Sequence, residues 1–533
     1  MTRYKFVFIL TFITLTHVSY HVSALNILAI VSMNLKSHYM AFQTLFRELA
    51  IRGHTVTVIN NFPVINPPSN LKFINMNAPS PNMPPITDFE SISSSFSHLF
   101  NFYHHFMGVG PSNIRTDCEL FFTNKDINIL REKGDQFDVI FVEEFMSDCG
   151  LVFAAAMYDA PIIGITSHTL LPWSYPRLGI PFNVGSNAFY FSPAGSNPST
   201  YRKVESYIMN VYVNSIGRWQ IQRSIFEVFN KYLPNIALDV EKIARDRIKM
   251  MFVYQHYSIT GARLLTPQLL EIGGIHIGKH KPVAEKIEKF MSSAKHGVVY
   301  VSFGSYLRAN TMSKNKMEQF LLAFKKIPQK VLWKVDNVTF PIDDDKILTS
   351  NWFPQLDILC HPKVMAFVSH GGMLSISEAA HCGKPILTIP FFGDQFSNSA
   401  AVAESGLGST MYFDQINADS LAGAIKHLTS SKMQQNAQNV SKLWHDRPMN
   451  VLDSAIYWTE YVARHKAAPP SPLSSSNDTW FQNSLLDVYS ILLGLIMVIL
   501  FVVYLICKIT KLVLKLLIGL FKENKQKKKN KRA

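Results

Sequence analysis

With 533 residues the chain is long enough for more than one domain, and its 47% apolar side chains suit a globular protein carrying two added apolar segments. The net charge of +14 suggests a nucleic-acid partner, but its distribution excludes one: ten Lys/Arg and a single Glu fall within residues 508–533, Arg3 and Lys5 sit at the start, and the body between is nearly neutral. The five cysteines, Cys118, Cys149, Cys360, Cys382 and Cys507, show neither CxxC pairing nor metal-ligand spacing. Cys507 lies in an apolar span, and the other four suit either disulfides or buried thiols.

Residues 1–24 combine Arg3 and Lys5, an apolar run over 6–15 and the small residues Val22-Ser23-Ala24, the pattern of a secretory signal. A strand follows at 25–31 (LNILAIV). A loop then carries Ser37 and His38. Apolar residues at helical spacing (Phe42, Leu45, Phe46, Leu49) predict a helix from about 39 to 52, ended by Gly53, and 54–59 (HTVTVI) is the next strand. This opening is a doubly wound start, with His38 at the carboxyl edge of the first strand, where open α/β sheets bind ligands. Residues 63–85, rich in Pro and Asn, read as loop, and 89–107 as an aromatic-rich helix. The strand 137–142 (FDVIFV) ends at Glu143 and Glu144, with Asp148 close behind; a helix over 149–158 and a strand at 161–165 follow. Residues 170–238 read as irregular helices and loops able to wall an apolar pocket.

The stretch 273–288 has little apolar pattern and marks the connection to a second doubly wound unit. That unit opens with the strand 298–303 (VVYVSF), closed by Gly304-Ser305, a phosphate-type turn. An amphipathic helix over 317–327 and strands at 331–335 and 347–352 lead to the most informative segment. The run 365–369 (MAFVS) reads as a buried parallel strand; it stops at His370-Gly371-Gly372 and a helix over 374–380 follows. A strand ending in small residues at a helix N-terminus is an anion site, because backbone N–H groups and the helix dipole point at its occupant. His370 can donate to a phosphate oxygen there. Glu378, one to two turns on, is placed for a ribose diol. Trp352 offers an indole for a base. Asp394 and Gln395, after a strand at 385–390, suit sugar hydroxyls. Helices over 418–428 and 437–463 end the unit.

Residues 467–476 are a linker, and 488–507 is apolar throughout and long enough to span a bilayer. The one-sided basic flank places the tail in the cytosol and the body in the lumen. Lys529, Lys531 and Arg532 fit the lysine pattern read by endoplasmic-reticulum retrieval machinery. Asn337, Asn439 and Asn477 head glycosylation sequons in the part expected to be lumenal.

Trp352, Gln355, His370, Gly371, Gly372, Glu378, Asp394 and Gln395 together resemble the signature of the family 1 UDP-glycosyltransferases, the group holding animal UDP-glucuronosyltransferases and UDP-glucosyltransferases. The resemblance covers nearly the whole chain and is weakest over 170–238; the SHGGMLS version of the motif is similar to invertebrate members. It implies two Rossmann-like doubly wound domains facing across a cleft (the GT-B arrangement), 25–275 for the acceptor and 276–465 for the UDP-sugar. A linker at 466–486, a transmembrane helix at 487–507 and a basic cytosolic tail at 508–533 complete the expectation. By the same resemblance Trp352 stacks on uracil, Gln355 and Glu378 hold the uridine, His370 holds the diphosphate, and Asp394 and Gln395 contact the donor sugar. Leu374 stands where the family often has Asn, which removes or replaces one donor contact.

Transfer from a UDP-sugar to a hydroxyl needs a base, a held leaving group and alignment in one cleft. His370, Ser305, Ser375 and the helix terminus serve the leaving group. Donors and dipoles can do that work without a divalent ion, so neither metal nor cofactor is expected; the co-substrate is UDP-glucose or UDP-glucuronic acid. His38 is the expected base, as in the family, whose base histidine follows the first strand. Its imidazolium needs a carboxylate. Glu143 aligns with the family's Asp most directly, and Asp148 is the alternative. Attack opposite the diphosphate predicts inversion. The expected partners are the UDP-sugar, a small lipophilic acceptor and a membrane, with homo-oligomerisation open. The competing class is a non-catalytic type I membrane protein that binds UDP-sugar or a lipophilic ligand. A hydride-transferring Rossmann enzyme is a poorer fit, because GxGxxG is absent from the sequence.

Overall fold

The computed structural model describes residues 24–79, 89, 97–103, 106, 110–185, 188–236, 238–305, 307, 311–335, 345–466 and 477–530. Nearly all of the expected signal (1–24), residues 467–476 of the linker, the sequon at Asn337 and residues 531–533 of the retrieval pattern lie outside them.

Two parallel sheets organise the chain. The first holds β1 (Asn26–Ile30), β2 (Thr55–Asn60), β3 (Leu71–Asn75), β4 (Val139–Glu143), β5 (Ile162–Thr166), β6 (Ile248–Val253) and β7 (Leu269–Glu271), in the spatial order β3-β2-β1-β4-β5-β6-β7. The second holds β8 (Val298–Ser302), β9 (Lys330–Lys334), β10 (Ile347–Ser350), β11 (Val364–Ser369), β12 (Ile386–Thr388) and β13 (Gly408–Thr410), in the order β10-β9-β8-β11-β12-β13. Helices cover both faces of each sheet, which is why the strands read as unbroken apolar runs rather than as alternating ones. On β1, for instance, Leu28 and Ile30 enter one core while Ile27 and Ala29 enter another.

Strand order reverses between β1 and β4 in the first sheet and between β8 and β11 in the second. At such a switch point the connections leave in opposite directions and open a crevice beyond the carboxyl ends of the strands. His38 follows β1 and Glu143 ends β4; Gly304 follows β8 and His370 follows β11. Each sheet therefore carries its candidate residues to its own crevice.

The helices depart from expectation in three places. The helix after β1 runs Lys36–Ile51 and starts with Leu35 extended at its N-cap. His38 thus stands in the first helical turn rather than in a loop, its N–H already bonded to Leu35 O at 3.0 Å. Within 170–238, Thr200–Tyr212, a π turn at Val213–Gly217 and Arg218–Tyr232 form one long helical excursion. Its inner apolar residues, such as Ile221, Ile225 and Phe229, fill the core, and only Tyr190 of the described residues in 170–238 lines the cleft. The helix expected over 437–463 is two, Ser431–His445 and Val451–Arg464, broken around Pro448, which cannot continue an i→i−4 ladder. The second of these crosses back to the first sheet, where Ala455, Ile456 and Val462 join the same core as β1.

Cys118 is bonded to Cys149 and Cys360 to Cys382, with sequence separations of 31 and 22. Cys507 is free and exposed on the last helix, Leu486–Asn530. That helix is apolar enough to cross a membrane, and at 1.5 Å per residue its 45 residues extend about 67 Å, more than twice a hydrocarbon core. The basic segment expected as a tail from 508 continues it as helix.

Candidate active site

A cleft of about 500 Å³ lies between the carboxyl edges of the two sheets and is lined from both. From the first sheet come His38, Phe145, His168 and Tyr190; from the second, Ser305, Trp352, Gln355, His370, Ser375, Glu378, Asp394 and Gln395.

His38 and Glu143 face each other across the β1/β4 switch point. The side chains are 4% and 1% exposed, and His38 Nδ1 lies 2.5 Å from Glu143 Oε1. The other carboxylate oxygen accepts from the Met33 N–H at 3.1 Å, so the backbone after β1 orients the acid. Phe145 and His168 wall the imidazole edge-on, with ring centroids at 4.6 and 4.8 Å. Burial and the neighbouring His38 hold the His168 imidazole well below its usual range, so it stays neutral. With Nδ1 engaged, the nitrogen of His38 that remains for the cleft is Nε2.

On the opposite wall the strand-to-helix turn is built around His370. Gly371 has φ +86°, a conformation side chains with a Cβ rarely adopt. A Cβ on Gly372 would stand 2.6 Å from His370 Nε2, so that glycine leaves room for the ring. Burial and Lys334 push His370 down to about 4; it is a neutral donor rather than a cation at physiological pH. Of the lysines that line the cleft, Lys36 and Lys334 have ammonium groups 4.9 and 5.1 Å from the centroid of the Trp352 ring. That indole is 53% exposed, a face on which a base can stack. Gln355 Nε2 donates to Ser375 Oγ (2.9 Å) and Glu378 Oε2 (2.6 Å), tying three residues into one polar unit. Ser305 is exposed at the cleft beside Gly304, whose carbonyl accepts from Lys334 Nζ at 2.5 Å.

Asp394 and Gln395 lie deep in the cleft. Gln395 Oε1 accepts from the N–H groups of Phe391 (2.9 Å) and Phe392 (3.2 Å), which settles which end of the amide is oxygen and makes its nitrogen the free-facing donor end. Asn398 Nδ2 donates to Asp394 Oδ2 at 2.7 Å and to Gly371 O at 3.1 Å, linking this acid to the glycine turn.

Residues 26–523 match the family described as UDP-glucoronosyl and UDP-glucosyl transferase. The chain belongs to this family. It is 31% identical to UDP-glycosyltransferase UGT5 of Dactylopius coccus over 92% of this chain and 93% of that one. It is 29% identical to UDP-glucuronosyltransferase 2B19 of Macaca fascicularis over 88% of this chain and 90% of that one. Among solved structures, LpCGTa in complex with UDP is similar at TM-score 0.53 and 17% identity, covering 84% of this chain and 100% of its own. The calicheamicin glycosyltransferase CalG4 is similar at TM-score 0.53 and 15% identity, with the same coverage. The fold is therefore the two-sheet GT-B arrangement, and this UDP-glycosyltransferase transfers a sugar from a UDP-sugar.

Of the two candidate acids, Asp148 turns away from His38. Arg177 grips it with Nη1 and Nη2 at 3.1 and 3.2 Å, Arg218 adds an ion pair, and Glu144 and Glu241 complete a buried network. Burial opposes its ionisation, yet Arg177 and Arg218 hold the carboxyl below the usual carboxylate range. Asp148→Asn is expected to weaken folding by about 3 kcal/mol, because it leaves buried guanidinium charge underpaired. The measurement is the Tm, which should fall by several degrees while kcat of the folded variant stays within a few-fold.

Sequence reasoning missed Lys36, His168, Lys334, Asn398 and His276 as cleft or supporting residues. A signal existed for His168: like His38, it lies just past the carboxyl end of a strand, here β5. Lys36, between β1 and His38, and Lys334, the last residue of β9, also stand at strand ends, whereas Asn398 carried no such mark.

A pH dependence is expected from Asp394. Burial pushes its carboxyl up to about 6, against the pull of Asn398 and His38. Below that pH it is protonated and is a poorer acceptor for sugar hydroxyls; above it, it is ionised. kcat/KM for the UDP-sugar is expected to rise as pH increases through about 6. Asp394→Asn should flatten that limb while lowering the plateau, as read from pH–rate profiles of the two enzymes.

Proposed function

We propose that the enzyme moves glucose or glucuronic acid from the UDP-sugar to a hydroxyl of a small lipophilic acceptor, with inversion and with His38 as general base. The observation that carries this reading is the His38–Glu143 pair, buried at one switch point and facing the nucleotide motif of the other across a single cleft. In the reaction the acceptor O–H gives its proton to His38 Nε2 as its oxygen attacks the anomeric carbon. The bond from that carbon to the β-phosphate oxygen breaks, and UDP leaves. Glu143 stabilises the imidazolium that forms. The His370 N–H, Ser305, the N-terminus of helix Met373–His381 and the ammonium groups of Lys36 and Lys334 take up the charge on the diphosphate. Trp352 stacks on uracil, Gln355 and Glu378 hold the uridine, and Asp394 and Gln395 hold the sugar.

The terminal apolar helix and the lysine pattern support placement in the endoplasmic-reticulum membrane as a single-pass type I protein, with the catalytic body in the lumen. The test uses membranes containing the full chain, radiolabelled UDP-glucose or UDP-glucuronic acid, and a panel of phenols. A β-glycoside formed from the α-linked donor is the expected product by NMR. An α-glycoside would refute inversion, and UDP binding without transfer from either donor would favour the non-catalytic class.

A further inference from the structure

His276 stands where the two halves of the cleft meet. It follows β7 on a turn in which Ile275 N–H bonds to Ile272 O at 3.0 Å, and both isoleucines are buried in the core shared with β1. The side chain is 8% exposed and lines the cleft. Its Nδ1 is hydrogen-bonded to the hydroxyl of Tyr254, a fully buried residue whose phenol burial holds well above its ordinary range, so the O–H is retained. Its Nε2 is buried without a hydrogen-bond partner and points toward Glu378 Oε1 at 3.4 Å. A carboxylate in front of Nε2 favours the tautomer with its proton there, while Nδ1 accepts from Tyr254. The other Glu378 oxygen is already taken by Gln355.

A buried donor without a partner costs free energy unless a ligand satisfies it. A vicinal diol fits this pair of groups. One hydroxyl donates to Glu378, and a hydroxyl oxygen accepts from the imidazole N–H. We propose that His276 is a nucleotide-positioning residue whose Nε2–H binds a ribose hydroxyl of the UDP-sugar alongside Glu378. The inference rests on the UDP-sugar reading of this cleft. Because His276 follows the last strand of the first sheet and Glu378 and Gln355 belong to the second, the ribose is gripped from both sheets, and nucleotide binding draws them together at this point.

The experiment is a ligand–variant cycle on the full-length enzyme in detergent. Dissociation constants for UDP, 2′-deoxy-UDP and 3′-deoxy-UDP are measured for wild type, His276→Ala and His276→Gln by competition against the UDP-sugar. His276→Ala is expected to bind UDP about tenfold more weakly. One deoxy substitution that weakens binding to wild type by about tenfold should cost the variant threefold or less. His276→Gln, which keeps an N–H donor, should recover part of the loss. kcat at saturating donor and KM for the acceptor should stay within about threefold. Equal deoxy penalties in wild type and His276→Ala would overturn the proposal, as would a loss spread evenly over kcat and both KM values. Wild type that fails to bind UDP at all would instead overturn the nucleotide reading itself.

Discussion

Replacing His38 by alanine is expected to lower kcat about a thousandfold while UDP-sugar binding changes by less than about threefold. The magnitude is that of a positioned general base, about 10² to 10⁴ in rate, and a thousandfold is about 4 kcal/mol of barrier. Binding should survive because most of the proposed nucleotide contacts lie on the other sheet, whereas His38 packs in the first turn of helix Lys36–Ile51. The imidazole packed beside it is a poor substitute. His168 is held neutral by burial, and its Nδ1 is 3.0 Å from Ser167 Oγ. The measurement is steady-state transfer to a phenol in membranes, with donor binding followed separately. Residual activity of the variant above a few per cent of wild type would remove His38 from the role of base.

Glu143→Gln is expected to be nearly as severe, with kcat down about 10² to 10⁴-fold and little change in donor KM. The carboxylate accepts from the ring nitrogen away from the substrate and so opposes loss of the imidazolium formed during attack. An amide in the same place has no charge, and its nitrogen end would confront the Nδ1 proton. Glu143→Asp keeps the charge one methylene further away and should retain more activity than Glu143→Gln. A comparison with Asp148→Asn completes the test. If kcat collapsed in Asp148→Asn and not in Glu143→Gln, the assignment of the two acids would be reversed.

Local signals in the chain carried most of the nucleotide side. Trp352, Gln355, His370, Glu378, Asp394 and Gln395 come from one stretch, in the successive strand-to-helix turns that follow β10, β11 and β12. The helix start at Lys36, the break around Pro448 and the long helical excursion of 200–232 were less legible, because ends and breaks depend on caps and packing more than on periodicity.

By itself, the sequence determined that two doubly wound units exist, that one ends in a nucleotide motif, that His38 sits at a strand edge and that an apolar span follows the body. Each of these is written in contiguous residues, as strand-length apolar runs, small-residue turns or a long lipid-compatible segment. Only the tertiary structure shows which acid meets His38. Glu143 and Asp148 are five residues apart and carry the same charge, but the first ends β4 pointing into the crevice while the second is claimed by Arg177 and Arg218, 29 and 70 residues further along the chain. The cysteine pairs and the meeting of His276 with Glu378 were decided in the same way, since each joins residues from different elements. Which side chains meet across such distances is set by helix packing and strand order, a property of the assembled core that no local pattern records.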